Sequence, residues 1–433
     1  MASAYNQSSI TRIIDPIIDV ASNRVEFKFP SNTLLSANVR VLNLGAVLQA
    51  GEASTDYNRL AGGLASIKNI YLENNGETID QILDVNSWIA FKEQRKSHEE
   101  AQSVSRNLTG NALGLTINET LKLGGTIETK GLKDTLASSG KCMMNLKDVL
   151  PFFSASQVIP TAIFSDLRLI IEYDTDVVKL STRSTSLLGT IMLNPFISVE
   201  EVLDRQLVAQ MTADYQGVSF QSIERDLATI STTKATTAVA VADNPTDLNL
   251  AVNRHSAQLR GYDNKYLSRL LIVVKTLAPN GYKASATGVA GGGGLGGVSV
   301  LRPVVNVVVN GSNKLAGVGL NSQSEVQARC IDTWGDLCVS AQANAPSVFD
   351  SATVYQSPLN YVGYQSYIGL EIREFIQNLS IDFGFSAQVN SDALVADDQS
   401  FDRLNADMHL LVFGECRKSI MMGGSGGYTI TYM

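Results

Sequence analysis

The sequence predicts an all-β chain made of two copies of one β unit, with a few short helices in connecting segments. Three observations predict it: strand-like runs from end to end, sparse helical signal, and an internal repeat in the order of strands, loops and turn residues. Strands without regular intervening helices point to a sandwich or barrel architecture, not to a doubly wound parallel sheet. At 433 residues the chain also exceeds the size at which one core usually stops growing, so two domains are expected.

The β pattern begins with "RVEFKFP" (Arg24 to Pro30), where polar and apolar residues alternate, and continues in "NVRVLNLGAVL" (Asn38 to Leu48). Further strand candidates are "SIKNIYL", "DLRLIIEY", "GVSFQSI", "RLLIVVK", "PVVNVVV", "NLSIDFGF", "DMHLLVF" and "YTITY", all rich in β-branched or aromatic residues. The best helical stretch runs from Asn86 to Val104, where Asn86 or Ser87 could cap the first turn and Trp88 and Phe91 sit three apart. A second, Ser198 to Met211, carries a capping-box pattern in Ser198 and Glu201, which conflicts with a strand reading of "FISVEEV".

The repeat is the most informative feature. In the first half an apolar strand (Val39 to Leu48) leads through a polar loop to Gly62-Gly63, then to a strand ending at Asn75-Gly76. In the second half an apolar strand (Arg269 to Leu277) leads to Gly296-Gly297, then to a strand ending at Asn310-Gly311. The separation from Gly62 to Gly76 equals that from Gly297 to Gly311, and both stretches end in a dipeptide that favours positive φ. Later, "SDLRLIIEYD" (Ser165 to Asp174) matches "ADMHLLVFGE" (Ala406 to Glu415), with the two copies joined near Asp204 to Tyr215.

Composition narrows the function classes. Charged residues make up 18% of the chain, against roughly 25% in a typical domain, so much of the surface is expected to be neutral and polar. The net charge is −8 and there is no Lys/Arg block, so the electrostatic footprint of a nucleic-acid binder is missing. No charged n-region followed by an apolar stretch opens the chain, and no window reaches 18 consecutive apolar residues, so a soluble, non-secreted product is expected. Cys142, Cys330, Cys338 and Cys416 are scattered without metal spacing and read as reduced, buried thiols. The sequons at Asn6, Asn107, Asn118, Asn310 and Asn378 carry little weight without a secretory signal.

The chemical motifs fail on context. Gly291, Gly293 and Gly296 stand at G-x-G-x-x-G spacing, but that fingerprint needs a strand, a tight turn and a helix N-terminus to hold a pyrophosphate. Here the preceding strand ends early, a strand with Pro303 follows, and no acidic residue lies about 20 positions on. "GGSGG" (Gly423 to Gly427) fits a nucleophile elbow at Ser425 but lacks downstream acid and His partners, so it reads as a hairpin turn. "GKC" (Gly140 to Cys142) is no P-loop, with Thr135 at the first glycine position and Cys142 in place of the hydroxyl. His98, His255 and His409 lie far apart, and Asp397, Asp398 and Asp402 lack EF-hand spacing and read as a solvated loop. No catalytic, cofactor-binding or metal site is therefore expected.

"LPFFSASQVIPTAIFSDLRLIIEY" (Leu150 to Tyr173) with "SIKNIYLENNGETIDQI" (Ser66 to Ile82) resembles the first half of double jelly-roll major capsid proteins. These belong to the adenovirus and nucleocytoplasmic large DNA virus lineage, and length and organisation look most like the polinton-like viruses. The similarity of pattern runs from about Arg24 to Met433. It implies two tandem eight-stranded antiparallel jelly-roll β-sandwiches, at residues 23–204 and 215–433, joined by residues 205–214 and preceded by an arm at 1–22. "NPFISVEEVLD" would then be the last strand of the first roll and "RQLVAQM" a short connecting helix. Pro195, Ile197 and Val199 favour the same choice.

The resemblance further implies a structural virion protein and not an enzyme. Its partners would be itself, as a homotrimer and then as neighbouring pseudo-hexameric capsomers of an icosahedral DNA virus shell, with penton and minor capsid proteins and an internal membrane as further candidates. Loops at Ser105 to Leu146 and Pro346 to Tyr367 would form towers or inter-subunit contacts. The competing reading is a carbohydrate-binding β-sandwich of the lectin or fibre/adhesin kind, suggested by loops rich in Thr, Ser, Asn and Gly.

Overall fold

The computed structural model describes residues 9–17, 24–44, 64, 67–93, 95, 142–173, 194–230, 248–249, 253–276, 298–301, 306–315, 323–335, 367–389, 408–423 and 427–433. The first half carries β1 (Ser9–Ile14), β2 (Arg24–Lys28), β3 (Leu34–Ser36), β4 (Arg40–Leu42), β5 (Ile67–Asn74), β6 (Glu77–Leu83), α1 (Val85–Glu93) and β7 (Met144–Asn145). A 3-10 turn (Leu146–Asp148), α2 (Pro151–Ala155), β8 (Val158–Pro160), β9 (Leu167–Tyr173), β10 (Phe196–Val202) and α3 (Arg205–Ala213) complete it. The second half carries β11 (Gly217–Ile230), β12 (Leu248–Asn249), β13 (Asn253–Gln258), β14 (Tyr266–Thr276), β15 (Val298–Leu301), β16 (Asn306–Val309) and β17 (Ser312–Asn313). There follow α4 (Gln323–Trp334), β18 (Tyr367–Phe375), β19 (Leu379–Val389), β20 (Met408–Met422) and β21 (Tyr428–Tyr432).

Pairing is antiparallel throughout the described strands, and each half builds two sheets. In the first half one sheet runs β1-β10-β4-β7, with β3 also on β10 and β8 on β3, and the other runs β2-β9-β5-β6. The second half runs β11-β20-β14-β18, with β21 on β20, and β13-β19-β16-β17, with β12 and β15 also on β19. Position for position this is one order used twice, and it is the interleaved order of a jelly roll. Alternation decides the faces: Ile67, Ile70 and Leu72 of β5 meet Leu169 and Ile171 of β9 inside, as Val307 and Val309 of β16 meet Leu379 and Ile381 of β19.

The two Asn-Gly dipeptides are the same turn. Asn75 and Gly76 have φ of 52° and 81°, and Asn310 and Gly311 have φ of 50° and 82°, the double positive φ of a type I′ hairpin. Each turn is tied to the segment entering the neighbouring strand. Asn74 Oδ1 accepts from Asp166 N at 2.9 Å ahead of β9, and Asn310 Oδ1 accepts from Gln377 N at 2.8 Å and Asn378 N at 3.1 Å ahead of β19.

That equivalence corrects the later part of the repeat. β9, with "LRLIIEY", corresponds by sheet position to β19, not to β20, which opens with "MHLLVF". Short apolar runs look alike wherever they sit, and the pairing partner, not the composition, fixes the position. Part of the expected arm also lies in a sheet, since residues 9–14 form β1 along the edge of β10, the place β11 takes beside β20. Arg12 anchors it, donating to both Glu201 carboxylate oxygens at 2.9 and 3.2 Å.

Helix starts were only partly readable. α1 begins at Val85, with Ser87 N and Trp88 N both donating to Asp84 O, so neither Asn86 nor Ser87 caps it. The Ser198/Glu201 pattern lies in β10, and α3 is capped by Asp204, whose Oδ1 accepts from Gln206 N at 2.9 Å. α4 was not expected at all. The end of the predicted Ser105 to Leu146 loop contains β7, while Gly62-Gly63 and Gly296-Gly297 lie outside the described residues.

At Gly76 and Gly311 a Cβ would meet nothing within 4 Å, so only the backbone angle demands glycine there. Replacing either by Ala is expected to cost about 1 to 2 kcal/mol, read as a lower denaturant midpoint. Asn at the same position should recover most of that loss, because Asn tolerates the left-handed region.

Candidate functional site

Among the described residues, none of the sequence motifs is brought into a reaction centre. Gly291, Gly293 and Gly296 lie outside the described residues, but the segment that follows them is strand β15 paired with β19, not a helix. Gly423 N donates to Gly427 O at 2.7 Å and closes the β20–β21 hairpin, so no helix follows the "GGSGG" stretch either. His255 sits in β13 and His409 in β20, while His98, Cys338, Asp397, Asp398 and Asp402 lie outside the described residues. Cys142, Cys330 and Cys416 are buried, and burial pushes each thiol up to about 12. Among the described residues no group of three or more His, Cys, Asp and Glu side chains is placed to hold a metal, and no helix is long and apolar enough to cross a membrane.

What the fold does assemble is a seam between the two sandwiches. Phe220, Ile223, Trp334, Leu411, Phe413 and Ile420 of the second half belong to the same buried cluster as the core of the first, while a separate core fills the second sandwich. On one side of the seam, Trp88 of α1 packs against Trp334 of α4 at 5.7 Å between centroids and against Phe413 of β20 at 5.5 Å. Phe91 meets Trp334 edge-on at 5.7 Å. Elsewhere along it, Phe152 of α2 meets Phe220 of β11 at 5.9 Å, and Phe164 meets Tyr428 of β21 at 5.4 Å. Such aromatic pairs contribute about 0.5 to 1.5 kcal/mol each beyond the area they bury.

Polar contacts fix the register of this packing. Arg225 of β11 pairs with Asp84, just ahead of α1, at 3.0 Å, and Asn74 Nδ2 donates to Tyr428 OH at 3.0 Å. Trp334 is held from its own side: its indole N–H donates to Leu270 O at 3.0 Å, and the Arg269 guanidinium lies 4.0 Å from its ring centroid. Arg269 grips Glu415 with two hydrogen bonds of 2.6 and 2.7 Å and donates to Thr333 O. Gly369 of β18 lets α4 approach, since a Cβ there would stand 2.7 Å from Trp334 Cδ1 and 2.9 Å from Cys330 Cα.

A second feature is exposed. Ile10 and Ile13 of β1, with Ile17 and, beyond β10, Leu203, stand open to solvent in the single chain.

The paired sandwiches are a double jelly roll, the fold of viral capsid proteins. One such structure is PBCV-1 VP54 fitted into a cryo-EM reconstruction of the virophage Sputnik, with 12% sequence identity over 98% of this chain and 97% of that one and a TM-score of 0.56. Another is the quasi-atomic model of the PBCV-1 virus capsid, with 11% identity, 98% and 97% coverage and a TM-score of 0.54. No protein-family model and no curated protein sequence matches the chain.

Trp88→Ala is expected to lower stability by about 3 to 5 kcal/mol, measured by chemical denaturation, because it opens a cavity between the halves. Gly369→Val should lower the thermal midpoint as well, by forcing α4 away from β18.

Proposed function

We propose that this chain is a major capsid protein that forms homotrimeric, pseudo-hexameric capsomers in the shell of an icosahedral DNA virus. The observation that carries the reading is coverage: the PBCV-1 structures match this chain over nearly its whole length, both sandwiches included. Two rolls locked by a buried seam give one rigid building block with two similar lobes, so three copies would present six around a ring. The role is structural, the site of action is the virion, and the principal partner is the chain itself, followed by penton and minor capsid proteins. Of the domain division, we propose rolls ending at residue 204 and starting at residue 215, with β1 belonging to the first roll.

Exposed Ile10, Ile13, Ile17 and Leu203 fit this role, because an assembling subunit keeps apolar surface for a neighbour. An obligate interface typically buries about 2,000 Å² or more. The full-length match to capsid folds favours this reading over a carbohydrate-binding sandwich.

Light scattering coupled to size-exclusion chromatography is expected to give three times the chain mass, and negative-stain images should show near-hexagonal particles. A stable monomer at high concentration, or glycan binding without assembly, would overturn the proposal.

A further inference from the structure

The hairpins at Asn75-Gly76 and Asn310-Gly311 share a dipeptide, a turn type and exposure to solvent, but they hold the asparagine differently. Asn310 is fixed on several sides. Its Nδ2 donates to Phe375 O at 2.8 Å, its Oδ1 accepts from Gln377 N at 2.8 Å and Asn378 N at 3.1 Å, and its backbone N donates to Asn378 O at 2.9 Å. Asn75 makes one side-chain hydrogen bond among the described residues, from Nδ2 to Ser165 Oγ at 3.3 Å. In the first copy the anchoring role falls to the preceding residue. Asn74 is 1% exposed; its Oδ1 accepts from Asp166 N at 2.9 Å and its Nδ2 donates to Tyr428 OH of the second roll at 3.0 Å.

An asparagine followed by glycine can react with its own backbone, because glycine has no Cβ to shield its nitrogen. At both turns a Cβ on the glycine would meet nothing within 4 Å, so solvent reaches the peptide. Ring closure rotates the asparagine backbone and carboxamide out of the hairpin geometry, so the turn must first open locally. Opening the second turn breaks three side-chain hydrogen bonds of Asn310; opening the first breaks one long one of Asn75.

We propose that Asn75 is a site of spontaneous deamidation, that Asn310 is its protected counterpart, and that conversion of Asn75 loosens the contact between Asn74 and Tyr428 across the seam. In the opened turn the Gly76 nitrogen gives its proton to solvent base and attacks Asn75 Cγ. The Cγ–Nδ2 bond breaks, and the carboxamide nitrogen takes a proton from water and leaves as ammonia. Water then opens the resulting succinimide at Cγ, giving aspartate, or at the Asn75 backbone carbonyl, giving isoaspartate. The second product routes the main chain through the former side chain and lengthens it by one carbon directly after Asn74. The proposal goes beyond the capsid reading and concerns the single chain, whatever that chain assembles into. Two further hydrogen bonds to break make Asn310 slower than Asn75 by about 10- to 100-fold.

The test is incubation of the full chain at mildly alkaline pH, native and in urea, followed by peptide mass mapping of each Asn-Gly site. Conversion is read as the mass change from carboxamide to carboxylate, and isoaspartate as a separately eluting peptide of equal mass. Asn280-Gly281 lies outside the described residues and is scored apart. In urea Asn75 and Asn310 are expected to convert at similar rates, because the dipeptide is the same; in the native chain Asn75 should lead by the factor above. Aged wild type is expected to lose thermal midpoint in proportion to Asn75 conversion, whereas Asn75→Gly, which suits the same turn, keeps its midpoint over the same interval. Equal native rates at the two sites, or a faster Asn310, would overturn the assignment of the site. A midpoint that falls equally in wild type and Asn75→Gly, or that ignores Asn75 conversion, would overturn the link to the seam.

Discussion

The contact on which the rest of the molecule depends is the packing of Trp88 against Trp334 and Phe413. Two domains joined by a short helix would by default move against each other, because interfaces within a chain tend to be modest and polar. Here the first sandwich's core continues through α1, α2 and β6 into β11, β20 and α4. Each partner of the contact is itself constrained, Trp334 by Leu270 O and Arg269, and α4 by the bare backbone at Gly369. Rigidity between the rolls is thus a property of side-chain packing and not of the linker.

Charge is used sparingly, and much of it turns inward. Arg12 meets Glu201, Arg168 meets Glu26 and Asp166, Arg225 meets Asp84, and Arg269 meets Glu415. Part-buried pairs of this kind add little net stability over an apolar isostere, but leaving one partner alone is costly. They act mainly to select one alignment of strands and rolls.

The parts of the fold that could be read from the sequence are those that local chemistry specifies. Asn75-Gly76 and Asn310-Gly311 demand one turn type, so the duplication showed there first. Pro195 with β-branched neighbours marked β10 against a competing capping pattern. Sheet position is not local, and for that reason β9 was matched to β20 when β19 occupies its place. α4 left a signal that passed unread, in Val326, Cys330 and Trp334 at helical spacing. The seam left none: Trp88 of α1 and Trp334 of α4 come from different halves of the chain, and nothing in either segment names its partner.

The strand order sets a timetable. In each roll the first strand pairs with a late one, β1 with β10 and β11 with β20, so neither sandwich can finish until nearly all of its length exists. Pairings between distant segments are slow to form and leave unpaired edges exposed meanwhile. A ribosome emitting this chain could let the first roll close once Val202 is free. β11, made soon after, must then wait for Met408 to Met422. Throughout that wait, the finished roll presents Trp88, Phe91 and Phe152 to water with their partners not yet in place. Synthesis, more than storage, is when this protein is most open to mistaken contacts.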